Sequence, residues 1–315
     1  MRKDFTYPSS DGKNNIHGII WRSYEERKPE GILQIVHGMS EYVGRYEGLA
    51  EFLVDHGYIV AGNDHLGHGE SVSGKEDFGY FGENGNAHLI SDIHALRCRL
   101  QLEYPGVPYF MLGHSMGSFL IRQYIAASDE GEDITYSHGL AGTIIMGTGW
   151  QPGAALAFGK TVCRLQSVFK GWRGKSGLVN ALSFGSYLKR ISGAVSKMDW
   201  LSSNHNNVEK YIADPRCGFS FTLNGYYNMF TAIQKAQNIN RMRMIDSDMA
   251  LLFLAGTEDP VGGYGEQVRK TFVKYKENTG CICDIKLYDG DRHEILNEDD
   301  KDEVYGDILA WMRRE

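Results

Sequence analysis

Residues 109–120, Tyr-Phe-Met-Leu-Gly-His-Ser-Met-Gly-Ser-Phe-Leu, constrain this chain more than any other stretch. Tyr109 to Leu112 form the continuous apolar run expected of a strand buried on both faces of a parallel sheet. From Ser118 to Ala127 apolar and polar residues alternate at helical spacing. Between them lies Gly113-His114-Ser115-Met116-Gly117, a G-x-S-x-G. In a chain with 38 glycines the pattern alone says little; its setting between strand and helix gives it meaning. A strand that runs straight into a helix leaves room only for a sharp elbow. Ser115 is expected there in a strained conformation, its hydroxyl pushed out above the sheet. Gly113 and Gly117 are then needed because a side chain would clash where strand and helix close on each other. The helix N-terminus behind Ser115 also offers free N–H groups to negative charge.

The rest of the chain repeats the strand–helix alternation. Phe5–Tyr7 and Ile16–Trp21 are expected to pair as antiparallel strands across the turn 10–15. Strands follow at 31–36, 58–61, 140–146, 249–255 and 281–288. Helices are expected at 45–56, stopped by Gly57, at 86–104, at 265–276 and from about Asp302. In the second of these Leu89, Ile93, Leu96 and Leu100 recur at three- and four-residue spacing. Together these predict an α/β fold: a doubly wound, mostly parallel, eight-stranded sheet. One segment breaks the rhythm. Residues 151–248 lack a clear strand–helix alternation and are read as an inserted helical cap, leaving 1–150 and 249–315 as the core. The cap carries 13 Lys and Arg against 5 Asp and Glu, whereas the remainder carries 20 against 35. Positive charge beside the apolar residues of 154–169 suits a greasy substrate or an anionic lipid surface.

Composition narrows the partners. A net charge of −7 gives no reason to expect nucleic-acid binding. No stretch approaches the length of a transmembrane helix. The first twelve residues contain no apolar run, so no secretory leader is expected. The five cysteines, Cys98, Cys163, Cys217, Cys281 and Cys283, are scattered without zinc-type spacing. Cys281 and Cys283 read as two residues on one face of a strand. The expectation is a reduced, cytoplasmic protein.

A serine hydroxyl is a poor nucleophile at neutral pH. It needs a base to take its proton and a carboxylate to orient that base. On a sheet of this kind the expected order is Ser, then Asp or Glu, then His, on loops after later strands. Asp259 lies just past the 249–255 strand in Gly-Thr-Glu-Asp-Pro, and His293 is the one histidine beyond the last strand. Glu258 and Asp291 compete for the acid's role, and the Asp-Pro turn favours Asp259. An oxyanion would need two backbone donors. One is the N–H of Met116, after the nucleophile; the other is the N–H of Met39, in the loop after the 31–36 strand. His37 in that loop is read as structural. Asp64-His65-Leu66-Gly67-His68-Gly69 could suggest a metal, but no further ligand cluster completes a site, and it is read as a structural turn.

At this point the motifs resemble the monoacylglycerol lipase and lysophospholipase group of α/β-hydrolases, often called the serine aminopeptidase family. The matching stretches are 37–46 (HGMSEYVGRY), 63–71 (NDHLGHGES), 113–117 (GHSMG), 256–261 (GTEDPV) and 292–294 (RHE). The run 211–219 (YIADPRCGF) is similar to bacterial members. Tyr42 and Ser118 depart from the family, which often has histidine and glycine there. The resemblance implies Ser115, Asp259 and His293 as nucleophile, acid and base, and Met39 and Met116 as oxyanion donors. It implies an ester hydrolase with no metal and no cofactor, water completing the reaction. The expected substrate is a single-chain acyl lipid, a monoacylglycerol or a lysophospholipid, met in solution or at a lipid surface through the cap. A short-chain carboxylesterase or a serine aminopeptidase is the alternative within enzymes, and a non-catalytic ligand-binding protein on the same scaffold lies outside them. Dehalogenase or epoxide hydrolase chemistry would want a carboxylate at position 115.

Overall fold

The computed structural model describes residues 1–24, 28–130 and 134–315. In chain order the elements are β1 (Arg2–Pro8), β2 (Asn15–Trp21), β3 (Ile32–Val36), α1 (Glu47–Asp55), β4 (Ile59–Asn63), α2 (Gly85–Glu103), β5 (Tyr109–His114), α3 (Met116–Tyr124) and β6 (Gly142–Met146). Next come α4 (Gly153–Lys170), α5 (Gly177–Phe184), α6 (His205–Ala213), α7 (Leu223–Ala236) and α8 (Ile239–Met242). The chain then returns through β7 (Ala250–Gly256), α9 (Glu266–Asn278), β8 (Cys283–Tyr288) and α10 (Lys301–Arg314).

The eight strands form one sheet in the order β1-β2-β4-β3-β5-β6-β7-β8. The β1–β2 and β2–β4 pairs are antiparallel and all the others parallel. This is the doubly wound sheet that the alternation predicts, and its physical basis is visible in β5. Successive strand side chains point to opposite faces. Tyr109 and Met111 enter one core with Ile93 and Leu96 of α2 and Leu120 and Ile121 of α3. Phe110 and Leu112 enter the other with Leu49 and Leu53 of α1 and Ile308 and Trp311 of α10. All six β5 residues are buried, each large apolar one contributing about 1.5–3 kcal/mol. A strand sandwiched in this way reads in sequence as an unbroken apolar run.

Two boundaries differ from expectation. The helix after the elbow starts at Met116 and ends at Tyr124, because Ser115 itself is its N-cap. Cys281 lies ahead of β8 rather than on it: its buried thiol donates to the Asp246 carbonyl at 3.3 Å, and only Cys283 belongs to the strand. The segment 151–248 carries α4 to α8 and contributes no strand to the sheet among the described residues. Leu156, Gly159 and Cys163, three and four residues apart on α4, are its buried face. Phe119 of α3 clusters with Leu156, Ile233 and Ala236, so α4 and α7 pack over the C-terminal end of β5.

Candidate active site

Ser115 occupies the turn between β5 and α3 with φ 54° and ψ −120°, a region that side chains rarely adopt. The elbow closes only because two neighbours lack side chains. A Cβ on Gly113 would come within 2.5 Å of the Gly117 carbonyl oxygen, and one on Gly117 would overlap the Val36 carbonyl of β3. The Ser115 N–H stays in the sheet, donating to the Met146 carbonyl at 3.0 Å. The residue is half-buried, at the wall of a cavity of about 790 Å³.

Asp259 and His293 come from loops after β7 and β8. His293 Nδ1 donates to Asp259 Oδ2 at 3.0 Å, and Asp259 Oδ1 accepts from the Val261 N–H at 2.8 Å. Both residues are buried. His293 Nε2 has no protein partner among the described residues, and His293 lines the same cavity as Ser115. With Nδ1 donating to a carboxylate, Nε2 of the neutral ring holds a free lone pair, as a base requires. The competing acids lie elsewhere. Glu258 is exposed. Asp291 is buried with Oδ2 unpartnered, and burial, reinforced by Asp300 and Glu298, pushes its carboxyl up to about 7.

Met39 and Met116 also line the cavity, and among the described residues neither backbone N–H has an acceptor. Met39 is aimed by its neighbour. Ser40 has φ 56° and is fastened on four sides. Its N–H donates to His68 Nε2 at 3.2 Å and its Oγ to the Phe219 carbonyl at 2.6 Å. Its own carbonyl accepts from Tyr211 Oη and from the Gly218 N–H, both at 3.0 Å. The similarity run 211–219 is therefore a strap across the loop that carries Met39.

The three histidines near that loop are structural. His37 Nδ1 donates to the Gly38 carbonyl at 2.8 Å and its Nε2 accepts from the His65 N–H at 3.0 Å. His68 Nδ1 donates to the Leu66 carbonyl at 3.0 Å. Burial, with a neighbouring histidine each time, pushes His37 down to about 4 and His68 to about 3, and holds His65 well below its usual value. Both ring nitrogens of His37 and His68 are committed to backbone groups, and His65 Nε2 donates to the His37 carbonyl at 3.2 Å, leaving only His65 Nδ1 without a partner among the described residues. Among the described residues no group of three His, Cys, Asp or Glu could hold a metal ion.

Sequence reasoning missed the ionic layer beneath the site. Arg45 pairs with Glu294 through two bonds of 2.6 and 2.8 Å and with Glu41 Oε2 at 2.9 Å, all three side chains largely buried. Glu41 and Arg45 sit within the 37–46 stretch and Glu294 directly follows His293, so their place in the stretches that carry the resemblance was the available signal. The cavity wall is mainly apolar, with Phe119, Leu156, Phe184, Trp200, Phe219 and Phe230 prominent, and its polar side chains include Gln151, Asn180, Lys197, Gln267 and the carboxylates of Glu41 and Glu294. That is the character of a site for a largely apolar small molecule. No helix among the described residues is long and apolar enough to cross a membrane.

Comparison with known proteins identifies the family. The chain is similar to a monoacylglycerol lipase of Mycolicibacterium smegmatis, 30% identical over 287 residues, which cover 90% of this chain and 88% of that one. It is 27% identical to a monoglyceride lipase homolog of Monkeypox virus over 289 residues, 90% of each chain. Among solved structures, a thermostable carboxyl esterase from Bacillus coagulans superposes with a TM-score of 0.89 at 31% identity, covering 99% of this chain and 97% of that one. The family model described as serine aminopeptidase, S33, matches residues 27–300. The chain belongs to that family and is an α/β-hydrolase of the monoacylglycerol-lipase-like kind.

Proposed function

We propose that this serine ester hydrolase acts on single-chain acyl lipids, monoacylglycerols or lysophospholipids, through Ser115, His293 and Asp259. Ser115 Oγ attacks the ester carbonyl while His293 Nε2 takes its proton and Asp259 holds the ring in the required tautomer. The N–H groups of Met39 and Met116 take the oxyanion, each contributing on the order of 3 kcal/mol. His293 then protonates the leaving alcohol, and a water activated by His293 releases the fatty acid from the acyl-enzyme. The observation that carries this reading is the buried His293–Asp259 pair, its Nε2 unpartnered, on the wall of an apolar cavity of about 790 Å³ that it shares with Ser115.

Residues 151–248 act as the cap that supplies most of this wall. They also carry an outer face suited to a lipid surface. Leu165, Val168 and Phe169 on α4, then Trp172, Leu178 and Leu182, are exposed among Lys160, Arg164, Lys170 and Lys175. Five free thiols suit a reducing compartment, which supports a cytoplasmic location. A carboxylesterase, acting on short-chain esters, is the second reading; the similar B. coagulans protein is a carboxyl esterase. An aminopeptidase would need a free carboxylate for the substrate's amine, and the two carboxylates on the cavity wall, Glu41 and Glu294, are both taken by Arg45.

The test is hydrolysis of p-nitrophenyl esters from acetyl to palmitoyl by wild type and Ser115→Ala. The expected result is a rate maximum at medium or long chains and a loss of about 10⁴-fold or more in the variant. A maximum at acetyl or butyryl would transfer the assignment to a small-ester enzyme. Undiminished hydrolysis in Ser115→Ala would remove the triad altogether.

A further inference from the structure

His114, the residue between Gly113 and the proposed nucleophile, has no part in the chemistry above, yet it is the most constrained side chain beside it. It is buried at the end of β5. Its Nδ1 lies 3.2 Å from Glu41 Oε1 and its Nε2 lies 3.0 Å from the main-chain carbonyl oxygen of His293. Glu41 is ionised by its surroundings. Besides His114 it accepts from the Gly38 N–H at 2.6 Å, from Tyr46 Oη at 2.9 Å and from the Arg45 guanidinium at 2.9 Å; burial works to raise its carboxyl, but the His114 hydrogen bond and then the Arg45 charge hold it well below the usual carboxylate range. A carboxylate and a carbonyl can only accept. A neutral imidazole has one N–H and one lone pair, so one of the two contacts would set lone pair against lone pair in a buried site. Both contacts form only if both ring nitrogens carry protons.

We propose that His114 is a buried imidazolium strut, clasped between Glu41 and the His293 carbonyl, that fixes the catalytic base and the oxyanion loop to each other. The proposal rests on the assignment of His293 as that base. One end of the strut reaches Glu41, which holds the Gly38 N–H immediately before Met39. The other holds the backbone of His293 itself. The N–H of the same peptide unit, that of Glu294, donates to the Leu201 carbonyl at 2.7 Å and the Glu294 carboxylate is gripped by Arg45, so the peptide that follows the base's Cα is held at both its carbonyl and its N–H. The two rings lie 4.6 Å apart between centroids. Gly147 makes that approach possible, since a Cβ there would come within 2.9 Å of the His293 ring and 3.1 Å of the His114 ring.

The charge on the ring is set by the groups around it. The groups facing His114 are Glu41, Arg45 and Tyr46 from the loop after β3, and His293 with Glu294 from the loop after β8. Asp259 stands behind His293. Burial opposes a proton on His114, but the hydrogen bond and charge of Glu41, aided by Glu294, outweigh it and raise the imidazole above its ordinary value. His114 is thus a positioning residue acting through Glu41 and His293, and it touches no substrate in this role.

Nitrogen-15 NMR of histidine-labelled protein reads the charge directly, with His114→Gln identifying the signals. At pH 7.5 both ring nitrogens of His114 are expected to carry protons; a neutral tautomer would overturn the proposal. Steady-state kinetics read the positioning. In His114→Gln, kcat is expected to fall about tenfold or more with KM little changed, as misplacement of the base rather than loss of substrate binding requires. An intact kcat would also overturn it. Should that variant not fold, Glu41→Gln, which keeps the shape and removes the charge, is expected to lose the second ring proton and to lower kcat likewise. The two readings fail separately. A neutral His114 with hydrolysis abolished in Ser115→Ala refutes the strut alone, whereas a charged His114 with hydrolysis retained in Ser115→Ala refutes the catalytic assignment.

Discussion

Asp259 and Asp291 are two buried aspartates in neighbouring loops, and their environments send them to different ends. Asp259 Oδ1 takes a backbone N–H and its Oδ2 takes the His293 ring. Asp291 Oδ2 takes nothing, and burial beside Asp300 and Glu298 pushes its carboxyl up from 3.8 to about 7. Sequence order narrows the acid to Glu258, Asp259 or Asp291. The Asp-Pro turn favours Asp259 among them, whereas the bond to the ring is set by loop geometry within a few residues, which order alone does not carry. The raised group carries a stability signature. Between pH 3.8 and about 7 the folded state holds a proton that the unfolded state has released. The associated stabilisation is complete below the lower value and is lost as pH rises through the upper one. Asp291→Asn removes that titration. We expect it to raise the melting temperature at pH 8 by roughly 2 °C, to change it little near pH 4, and to leave ester hydrolysis intact. A thermal-melt series across pH checks this. Equal shifts at both pH values, or loss of activity, would refute the account.

At the scale of elements, the β5–α3 junction shows why some structure is legible and some is not. Buried strands and amphipathic helices betray themselves because burial imposes a period on every residue, and the elbow does so because backbone contact forces glycine at two fixed offsets. Gly117→Ala is expected to cost about 3 kcal/mol or more, since its Cβ would meet the carbonyl oxygens of Val36 and His37, which are pinned within and beside the sheet. Gly153→Ala at the start of α4 is the matched control: a Cβ there meets nothing within 4 Å, and the change is expected to stabilise by about 0.5 kcal/mol. Urea midpoints at constant slope separate the two outcomes. Equal effects would show that the elbow yields. Contacts between distant elements leave no such period. Arg45 finds Glu294 across 249 positions, and the Arg122 guanidinium on α3 reaches the Thr148 hydroxyl after β6 and the Ala236 carbonyl at the end of α7. Nothing local in the sequence marks either charge as buried. For the same reason residue type alone does not say what the histidines of 63–71 do: they are read as a structural turn for want of further ligands, and the bonds that tie His65 Nε2 and both His68 nitrogens to distant or local backbone appear only in the structure.

The whole molecule is electrically lopsided. The chain has a net charge of −7, yet no Asp or Glu occurs between Ile134 and Met198, a stretch that holds eight Lys and Arg beyond residue 150. The basic residues share this stretch with exposed apolar ones. On α4 the face opposite Leu156, Gly159 and Cys163 presents Phe158, Leu165, Val168 and Phe169, the last 89% exposed. A negative body approaching an anionic bilayer is repelled unless the basic face leads, so the proposed docking face also sets orientation, turning the 151–198 side toward the lipid. Each basic residue near such a surface contributes about 1 kcal/mol, and the apolar side chains add the area they bury. Two dependencies follow that separate the contributions. Co-sedimentation with vesicles rich in phosphatidylserine is expected to fall as salt rises, and to fall about tenfold or more in Lys170→Glu/Lys175→Glu. Phe169→Asp is expected to weaken binding to neutral and anionic vesicles alike, because it removes insertion as well as adding a charge. Since neither variant touches Ser115, Asp259 or His293, hydrolysis of a soluble short ester should stay at the wild-type rate while hydrolysis of vesicle-borne substrate drops. Binding that ignores both salt and lipid charge would show that the basic stretch serves the fold and not a surface.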